Sequence, residues 1–92
     1  MDLTFEWHEE KAERNLKKHG VGFHEARTVF NDPSAITVPD PEHSAQEDRW
    51  VEIGRSARGR VLVVVYTERG MNIRLISSRP AAKAEREMYE QR

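Results

Sequence analysis

The C-terminal part of this 92-residue chain holds the residue types best suited to chemistry on a phosphate group. Arg79 follows a predicted strand, and Glu85 and Tyr89 lie four residues apart on a predicted helix. Arg86 flanks the same helix face. Arginine stabilises charge on phosphate, glutamate moves protons and tyrosine stacks on bases, so the spacing fits metal-free phosphoryl chemistry. On spacing alone, a surface salt bridge beside a packed tyrosine is the better explanation, because exposed i,i+4 ion pairs are common and weak.

The remaining polar residues carry no motif for a metal or a cofactor. The four histidines have no helical metal spacing, and no HExxH sequence occurs; they are His8, His19, His24 and His43. There is no cysteine, so neither a disulfide nor a thiolate site is possible. The chain lacks GxSxG, Walker and GxGxxG sequences. We therefore expect no metal and no cofactor. We expect His19 to cap a helix end and His43 to be solvated in a polar loop.

Charge is divided unevenly along the chain. Residues 1–48 hold 5 Lys and Arg against 11 Asp and Glu, a net charge of −6, whereas residues 49–92 hold 10 against 5, a net charge of +5. The second half uses arginine almost throughout, with Lys83 its one lysine. Arginine suits planar, bidentate recognition of phosphate or carboxylate. We predict an anion-binding face, although charges separated in sequence can also mix in space.

Composition predicts one small domain that is not embedded in a membrane. The charged fraction is 34% and the mean hydropathy is −0.82. A chain of this length buries only about 60–65% of its unfolded surface, so it builds one modest core. No apolar run approaches the roughly 20 residues that span a bilayer, and the first residues do not resemble a signal peptide. We expect a single cytoplasmic domain over residues 1–92.

A hairpin near the C-terminus is expected to organise the fold and to position the polar residues. The apolar run Val61–Tyr66 predicts a strand buried on both faces. A turn at Glu68–Gly70 leads to the alternating stretch Ile73–Ser77, typical of a strand with one wetter face. This second strand carries Arg74 and leads directly to Arg79. The centre of the sheet therefore presents guanidinium groups.

The other elements extend or cover this hairpin. We predict three further strands and three helices: strands Leu3–Trp7, Ala35–Val38 and Arg49–Arg55, and helices His8–His19, Phe23–Phe30 and Pro80–Tyr89. Gly20 is expected to end the first helix, and Ser78 to cap the last one, whose apolar stripe would be Ala81, Ala84 and Met88. The result is an α+β fold of order β-α-α-β-β-β-β-α, a small antiparallel sheet with helices on one face.

The ordered set of residues resembles one known family over nearly the whole chain. The matching positions are Phe5–Trp7, Lys11, Asn15, Lys18–Val21, Phe23, Glu25–Ala26, Val29–Phe30, Asp32–Pro33, Asp40, His43–Ser44, Glu47, Arg49, Ile53–Arg55, Val63–Thr67, Arg74, Ile76–Ser77, Arg79, Ala81, Glu85–Arg86 and Tyr89. Each piece is weak alone, but the ordered set is specific. The chain resembles the BrnT toxins of type II toxin–antitoxin systems.

This resemblance implies a fold, an activity and a partner. The family is similar in fold to RelE-type ribonucleases, and its members are growth-inhibiting ribonucleases neutralised by BrnA, a ribbon-helix-helix antitoxin. Contact with DNA is then expected only through the antitoxin. The implied catalytic residues are His19, Arg55, Arg79, Glu85 and Arg86, and the implied RNA-binding residues are Lys18, Arg74 and Tyr89. Many relatives have a basic residue where this chain has Pro80, which implies the loss of one phosphate contact.

Two functions remain open at this point. The first is a metal-independent endoribonuclease that uses the 2′-hydroxyl of RNA as nucleophile, with His19 or Glu85 as the acid or base. The second is a non-catalytic binding module that acts as antitoxin partner and transcriptional co-repressor. The polar composition and the divided charge fit either function.

Overall fold

The chain folds as a five-stranded sheet with helices against it. A computed structural model describes residues 3–40 and 48–91, so the expectation for His43 lies outside the described residues. The elements in chain order are β1 (Thr4–Glu6), α1 (Glu9–His19), α2 (Phe23–Ala26), a 3₁₀ helix (Arg27–Asn31), β2 (Ile36–Pro39), β3 (Arg49–Arg55), β4 (Val61–Arg69), β5 (Asn72–Pro80) and α3 (Lys83–Glu90). The predicted α+β class and element order are confirmed. Among the described helices, none is long and apolar enough to cross a bilayer.

The sheet is mixed, which corrects the expectation of a purely antiparallel one. Its strand order is β1-β5-β4-β3-β2, and β2 to β5 form the predicted antiparallel meander. β1 instead pairs in parallel with β5, with Thr4 opposite Asn72 and Glu6 opposite Arg74. Short turns oblige successive strands to run antiparallel. Most of the chain lies between β1 and β5, so no turn fixes their relative direction.

The two faces of the sheet are covered by different helices, which corrects the expectation of helices on one face. Successive strand residues point to opposite faces. The core face carries Leu62, Val64 and Leu75, against which α1, α2 and the 3₁₀ helix pack. The second face carries Ile53, Val61 and Val63, and Tyr89 of α3 packs against this smaller cluster. The chain passes to the second face directly after β5, since Ala81 belongs to the same cluster as Ile53, Val61 and Val63.

The ends of the elements differ from prediction mainly after the hairpin. Gly20 ends α1 as expected, at φ 72°, and its N–H donates to the carbonyl of Leu16. β5 continues through Ser78 to Pro80, because Pro80 pairs with Leu62 at the end of the ladder. Ser78 is therefore a buried strand residue instead of a helix cap. α3 begins only at Lys83, and Ala82 takes the cap position.

Candidate functional site: a basic face of the sheet

Three predicted site residues point to the same face because of the strand register. Arg55 lies opposite Val61, Arg79 opposite Val63, and Arg74 opposite Thr67. Each of these cross-strand partners points to the second face, so all three guanidinium groups lie on it. Alternation along one strand shows which residues of that strand share a face, but it does not show which residues of different strands do. The register between strands brings the three arginines onto a common surface.

Arg79 and Glu85 form a bidentate ion pair at the end of β5. The Nη1 and Nη2 atoms of Arg79 each donate to one carboxylate oxygen of Glu85 at 2.7 Å. The backbone N–H of Ala82 donates to Glu85 Oε1 at 2.8 Å, so the same carboxylate also caps the first turn of α3. The hydrogen bonds from Arg79 lower the pKa of Glu85, and those to Glu85 raise the pKa of Arg79. Both carboxylate oxygens are thus engaged, which makes Glu85 a weak base while the pair is intact.

Arg86 lies beside this pair and is exposed to solvent. Its Nη1 donates to the backbone carbonyl of Ala81 at 2.8 Å, which fixes the side chain against the start of α3. In the part of the chain that the structure describes, no charged side chain contacts the rest of the guanidinium group. Arg86 therefore offers donors to an anion without first breaking an ion pair.

Arg55 and Tyr89 meet at the other end of α3. The guanidinium carbon of Arg55 lies 5.8 Å from the centroid of the Tyr89 ring, and its Nη1 donates to the carbonyl of Gly59 at 2.8 Å. The Tyr89 hydroxyl donates to Asp32 Oδ2 at 2.6 Å. This hydrogen bond raises the pKa of Tyr89 and keeps the hydroxyl protonated. Asp32 was not predicted as a site residue, because 57 positions separate it from Tyr89 and no spacing signal links them.

Arg74 is engaged by Glu6 of β1 and by His8, which precedes α1. Its Nε and Nη2 donate to Glu6 Oε2 at 2.9 and 2.7 Å, and its Nη1 lies 3.2 Å from His8 Nε2. Asn72 also donates to Glu6, and this bond together with those from Arg74 lowers the pKa of Glu6. The contact joins β1 to β5, so Arg74 has a structural role in addition to its position on the second face.

Lys18 and His19 line a groove between α1 and β5. This α1–β5 groove encloses about 270 Å³, and its lining residues are Lys11, Arg14, Asn15, Lys18, His19, Ile76 and Ser77. Ser77 lies opposite Val65 and so points to the second face, two residues before Arg79. That separation is about 7 Å along a strand. Since α1 packs on the core face, the groove lies at the free edge of β5, and it connects the basic residues of α1 to the strand that carries Arg79.

Asn15 holds α1 against β5 and so builds the groove. Its Nδ2 donates to the carbonyls of Val21 and Ser78 at 2.9 and 2.8 Å, and its Oδ1 accepts the Ser78 N–H at 3.0 Å. β1 pairs with β5 only as far as Arg74, so Ser78 lies on an edge that no strand covers. The buried amide of Asn15 takes the place of a neighbouring strand there. No local pattern predicts this role for Asn15, since the only feature there is a polar residue beside a thin apolar stripe.

The predicted site residues thus fall into three pairs, two on the second face and one in the groove at the uncovered edge of β5. The structure brings together Arg79 with Glu85, Arg55 with Tyr89, and Lys18 with His19. Arg74 stands apart from these contacts, at the β1 end of the sheet. In residues 3–40 and 48–91 no three His, Cys, Asp or Glu side chains form a group able to hold a metal ion.

Comparisons with known proteins give the family. The profile of a family described as the ribonuclease toxin BrnT of type II toxin–antitoxin systems matches residues 7–85. The chain belongs to the BrnT family. The crystal structure of the Brucella abortus ribonuclease toxin BrnT, at 1.1 Å resolution, superposes with a TM-score of 0.70 and 25% sequence identity, over 89% of this chain and all of that one. Sequence comparison with curated proteins gives no match.

The BrnT match covers most of the candidate site. His19, Arg55, Arg74, Arg79 and Glu85 lie inside the matched range, whereas Arg86 and Tyr89 lie just beyond its end. The family is one of ribonuclease toxins, so the basic second face and the α1–β5 groove have a substrate class that fits their charge. The roles of individual residues remain predictions.

Proposed function

We propose that this chain is a metal-independent endoribonuclease, the toxin of a type II toxin–antitoxin pair, and that it binds RNA across the second face and the α1–β5 groove. Membership of the BrnT family supports the activity class. The observation that carries the location is the common orientation of Arg55, Arg74 and Arg79 beside a groove that contains Lys18 and His19. Side-chain cations of this kind contact successive phosphates of a single strand.

The proposed reaction is transesterification within the RNA chain. The 2′-oxygen attacks the adjacent phosphorus, the bond to the 5′-oxygen breaks, and a 2′,3′-cyclic phosphate and a 5′-hydroxyl end form. A base must take the 2′-proton, an acid must protonate the leaving oxygen, and cations must stabilise the charge on the phosphorane. Arg55, Arg79 and Arg86 are the proposed cations.

His19 is the proposed proton-transfer group. It lies in the α1–β5 groove, whose lining includes Ser77, two residues before Arg79 on β5. Glu85 is less suited to the task, because both its oxygens accept hydrogen bonds from Arg79 and its pKa is lowered. We assign Glu85 to orienting Arg79 and capping α3.

Cleavage of a labelled RNA by the purified protein tests this proposal. We expect cleavage in excess EDTA, with products that carry a 2′,3′-cyclic phosphate and a 5′-hydroxyl. Cleavage that disappears in EDTA and returns with magnesium would contradict the metal-independent mechanism, but it would still support ribonuclease activity. The reaction is run with and without ribosomes, since either naked or ribosome-bound RNA is a plausible substrate.

A non-catalytic binding module is the second candidate. One observation favours it: Arg79 and Glu85 satisfy each other, as in an ordinary structural ion pair. RNA that stays intact with and without ribosomes, while the protein still binds its antitoxin, would support this candidate. Growth inhibition on expression that one substitution abolishes without unfolding the protein would support the enzyme.

We further propose that the partner is a ribbon-helix-helix antitoxin of the BrnA type, and that this chain contacts DNA only through it. The basic second face supplies a physical reason for an acidic or mixed-charge antitoxin segment to dock, because complementary charge speeds association. The pair should bind its operator as a complex, and the toxin by itself should not retard the same DNA in a gel.

A further inference from the structure

Asp32 links three parts of the chain that meet at one end of the sheet. Its Oδ2 accepts the Tyr89 hydroxyl at 2.6 Å and the backbone N–H of Arg55 at 2.8 Å. Its Oδ1 accepts the backbone N–H of Ser34 at 2.9 Å. One partly buried carboxylate therefore joins the corner after the 3₁₀ helix, the end of β3 and the last turn of α3. This is more than a turn needs, since the bond to Ser34 alone would complete the local Asx turn.

The charge state of the group suits these contacts. Burial alone would raise the pKa of Asp32, but the hydrogen bonds from Arg55, Tyr89 and Ser34 together lower it. Tyr89 keeps its proton for the complementary reason, because the bond to Asp32 raises its pKa. The pair is thus a carboxylate and a neutral phenol, a short charge-assisted hydrogen bond.

The sequence makes room for this approach at Gly54. A Cβ atom there would lie 2.9 Å from Ala35 Cβ, 3.0 Å from Val29 Cγ1 and 3.2 Å from Asp32 Oδ2. Real Cβ atoms almost never come so close to other atoms, so a side chain at Gly54 would push the corner away from β3. Glycine therefore permits the contact between Asp32 and the neighbouring residue Arg55.

Asp32 acts on Arg55 from two directions. It fixes the backbone of Arg55 directly, and it fixes the ring of Tyr89, over which the Arg55 guanidinium lies at 5.8 Å. The guanidinium is further held by the Gly59 carbonyl. Without these contacts, an exposed arginine samples many rotamers, and binding must then order it at an entropic cost.

We propose that Asp32 is a positioning residue for Arg55, acting through Tyr89 and through the Arg55 backbone so that the guanidinium meets an RNA phosphate already oriented. This inference rests on the proposed function, in which Arg55 is one of the cations on the second face. Asp32 itself touches no substrate. The negative charge of Asp32 would by itself repel RNA, so a net benefit from it has to come from orientation.

The test measures RNA affinity, its salt dependence and KM against kcat for Asp32→Asn, Tyr89→Phe and Arg55→Gln, singly and in pairs. Tyr89→Phe keeps the ring and its packing and leaves the other two bonds of Asp32 intact.

Tyr66→Phe is its matched control, since Tyr66 is the other tyrosine and lies on the core face. Asp48→Asn, at the opposite end of β3, controls for the loss of one negative charge. Thermal unfolding identifies any variant that fails to fold.

We expect Asp32→Asn and Tyr89→Phe to raise KM about three- to tenfold, the effect of one weakened charged hydrogen bond, with a smaller change in kcat. The slope of log K against log salt should fall by up to about 0.7, the value for one fully lost contact with single-stranded RNA. In the Arg55→Gln background neither substitution should add anything, because they act through the residue already removed. The two controls should keep the wild-type slope.

The outcomes distinguish the RNA-binding role of Arg55 from the positioning role of Asp32. Arg55→Gln that leaves RNA affinity unchanged would remove Arg55 from the proposed site and the positioning role with it. Arg55→Gln that weakens binding, while Asp32→Asn and Tyr89→Phe keep the wild-type KM and slope, would overturn the positioning role alone. Effects of Asp32→Asn that persist in full in the Arg55→Gln background would also overturn it, since they would not pass through Arg55.

Discussion

At the scale of single residues, the environment of each carboxylate decides what it can do. Glu85 was predicted as a possible base from its residue type and its distance from Tyr89 along a helix. In the structure its two oxygens face the fork of Arg79, and its pKa is lowered. A carboxylate in that position holds a cation better than it accepts a proton.

Substitutions at Glu85 and His19 separate these roles. We expect Glu85→Gln to keep the shape of the pH–rate profile and to lose activity mainly through KM, because the amide orients Arg79 less well. We expect His19→Gln to remove the acid limb of the profile and to lower kcat by about 10²–10⁴-fold, the usual contribution of a proton-transfer group. The measurement is kcat and KM against pH for both variants. An acid limb that vanishes in Glu85→Gln and persists in His19→Gln would reverse the assignment.

Two buried glutamates should respond to pH in opposite directions. The Glu25 side chain is 7% exposed and accepts two hydrogen bonds from Arg60 and one from Ser56, and the bonds from Arg60 are the main reason its pKa is lowered. Glu52 is also buried but faces the hydroxyls of Thr37 and Tyr66, and burial raises its pKa. Glu25 therefore stabilises the fold above its ordinary pKa of 4.5 and stops doing so as pH falls through its lowered pKa. Glu52 favours the folded state in acid, and this contribution is lost as pH rises through its raised pKa.

Urea unfolding of Glu25→Gln and Glu52→Gln at several pH values checks this contrast. At pH 7 we expect Glu25→Gln to lower the free energy of unfolding by about 1–3 kcal/mol, since Arg60 loses its charged partner. We expect Glu52→Gln to be neutral or stabilising at pH 7, because it removes a buried charge that faces no described cation. The Glu25→Gln difference should shrink below about pH 4.5, because the pKa of Glu25 is lowered from that value. The Glu52→Gln difference should already shrink above about pH 4.5, because the pKa of Glu52 is raised. The same sign of effect for both variants at pH 7 would contradict the contrast.

At the scale of elements, α1 is placed by a polar residue more than by apolar ones. Its predicted stripe contained Ala12 and Leu16, but Leu16 is 53% exposed whereas Asn15 is 7% exposed. The three hydrogen bonds of Asn15 satisfy edge groups of β5 and the carbonyl of Val21. The position of Lys18 and His19 relative to the sheet depends on this one amide.

We predict that Asn15→Asp destabilises the protein by about 2–4 kcal/mol, although the two side chains have nearly the same shape. The carboxylate would face the carbonyls of Val21 and Ser78, which need donors, and it would be buried without a cation. Asn31→Asp, at an exposed position, is the matched control and should change stability by less than about 0.5 kcal/mol. Thermal or urea unfolding measures both. Equal effects of the two substitutions would contradict a structural role for Asn15.

At the scale of the whole molecule, the charges that are separated in sequence partly mix in space. Glu25 pairs with Arg60 and Glu6 with Arg74, so acidic residues of the first half neutralise arginines of the second. Part of the cationic surface comes instead from α1, in the acidic half, through Lys11, Arg14 and Lys18. The proposed anion-binding surface is therefore built from both halves of the chain. The net charge of +5 of residues 49–92 is not the charge of this surface.

This surface predicts competition between RNA and antitoxin. We expect Arg79→Gln and Lys18→Gln to weaken both RNA binding and antitoxin binding, because both partners are proposed to cover the second face and the α1–β5 groove. Lys17→Gln removes the same charge from a neighbouring position outside the groove, and it should have a smaller effect on each partner. Each variant is titrated with antitoxin while cleavage of a labelled RNA is followed. Antitoxin that binds Arg79→Gln and Lys18→Gln as tightly as wild type would place neutralisation on another face.

The sequence by itself determined the elements, their order and the family. Apolar runs and alternation identified β3, β4 and β5, and Gly20 marked the end of α1, because these signals are local to a few residues. The ordered set of matching residues identified the BrnT family before any coordinates, and the match over residues 7–85 confirms it. The residue types also indicated which side chains suit phosphate chemistry.

Only the tertiary structure decided which residues meet. The predicted stripe of α3 was Ala81, Ala84 and Met88, but Ala84 and Met88 are exposed, and the helix turns Glu85 and Tyr89 toward the sheet. The ion pair with Arg79 and the hydrogen bond to Asp32 fix that rotation, and their partners lie 6 and 57 positions away. The parallel pairing of β1, the pairing of Glu25 with Arg60 and the role of Asn15 arise in the same way. Periodicity describes which residues share a face of one element, whereas contacts between elements depend on register and packing that no local pattern encodes.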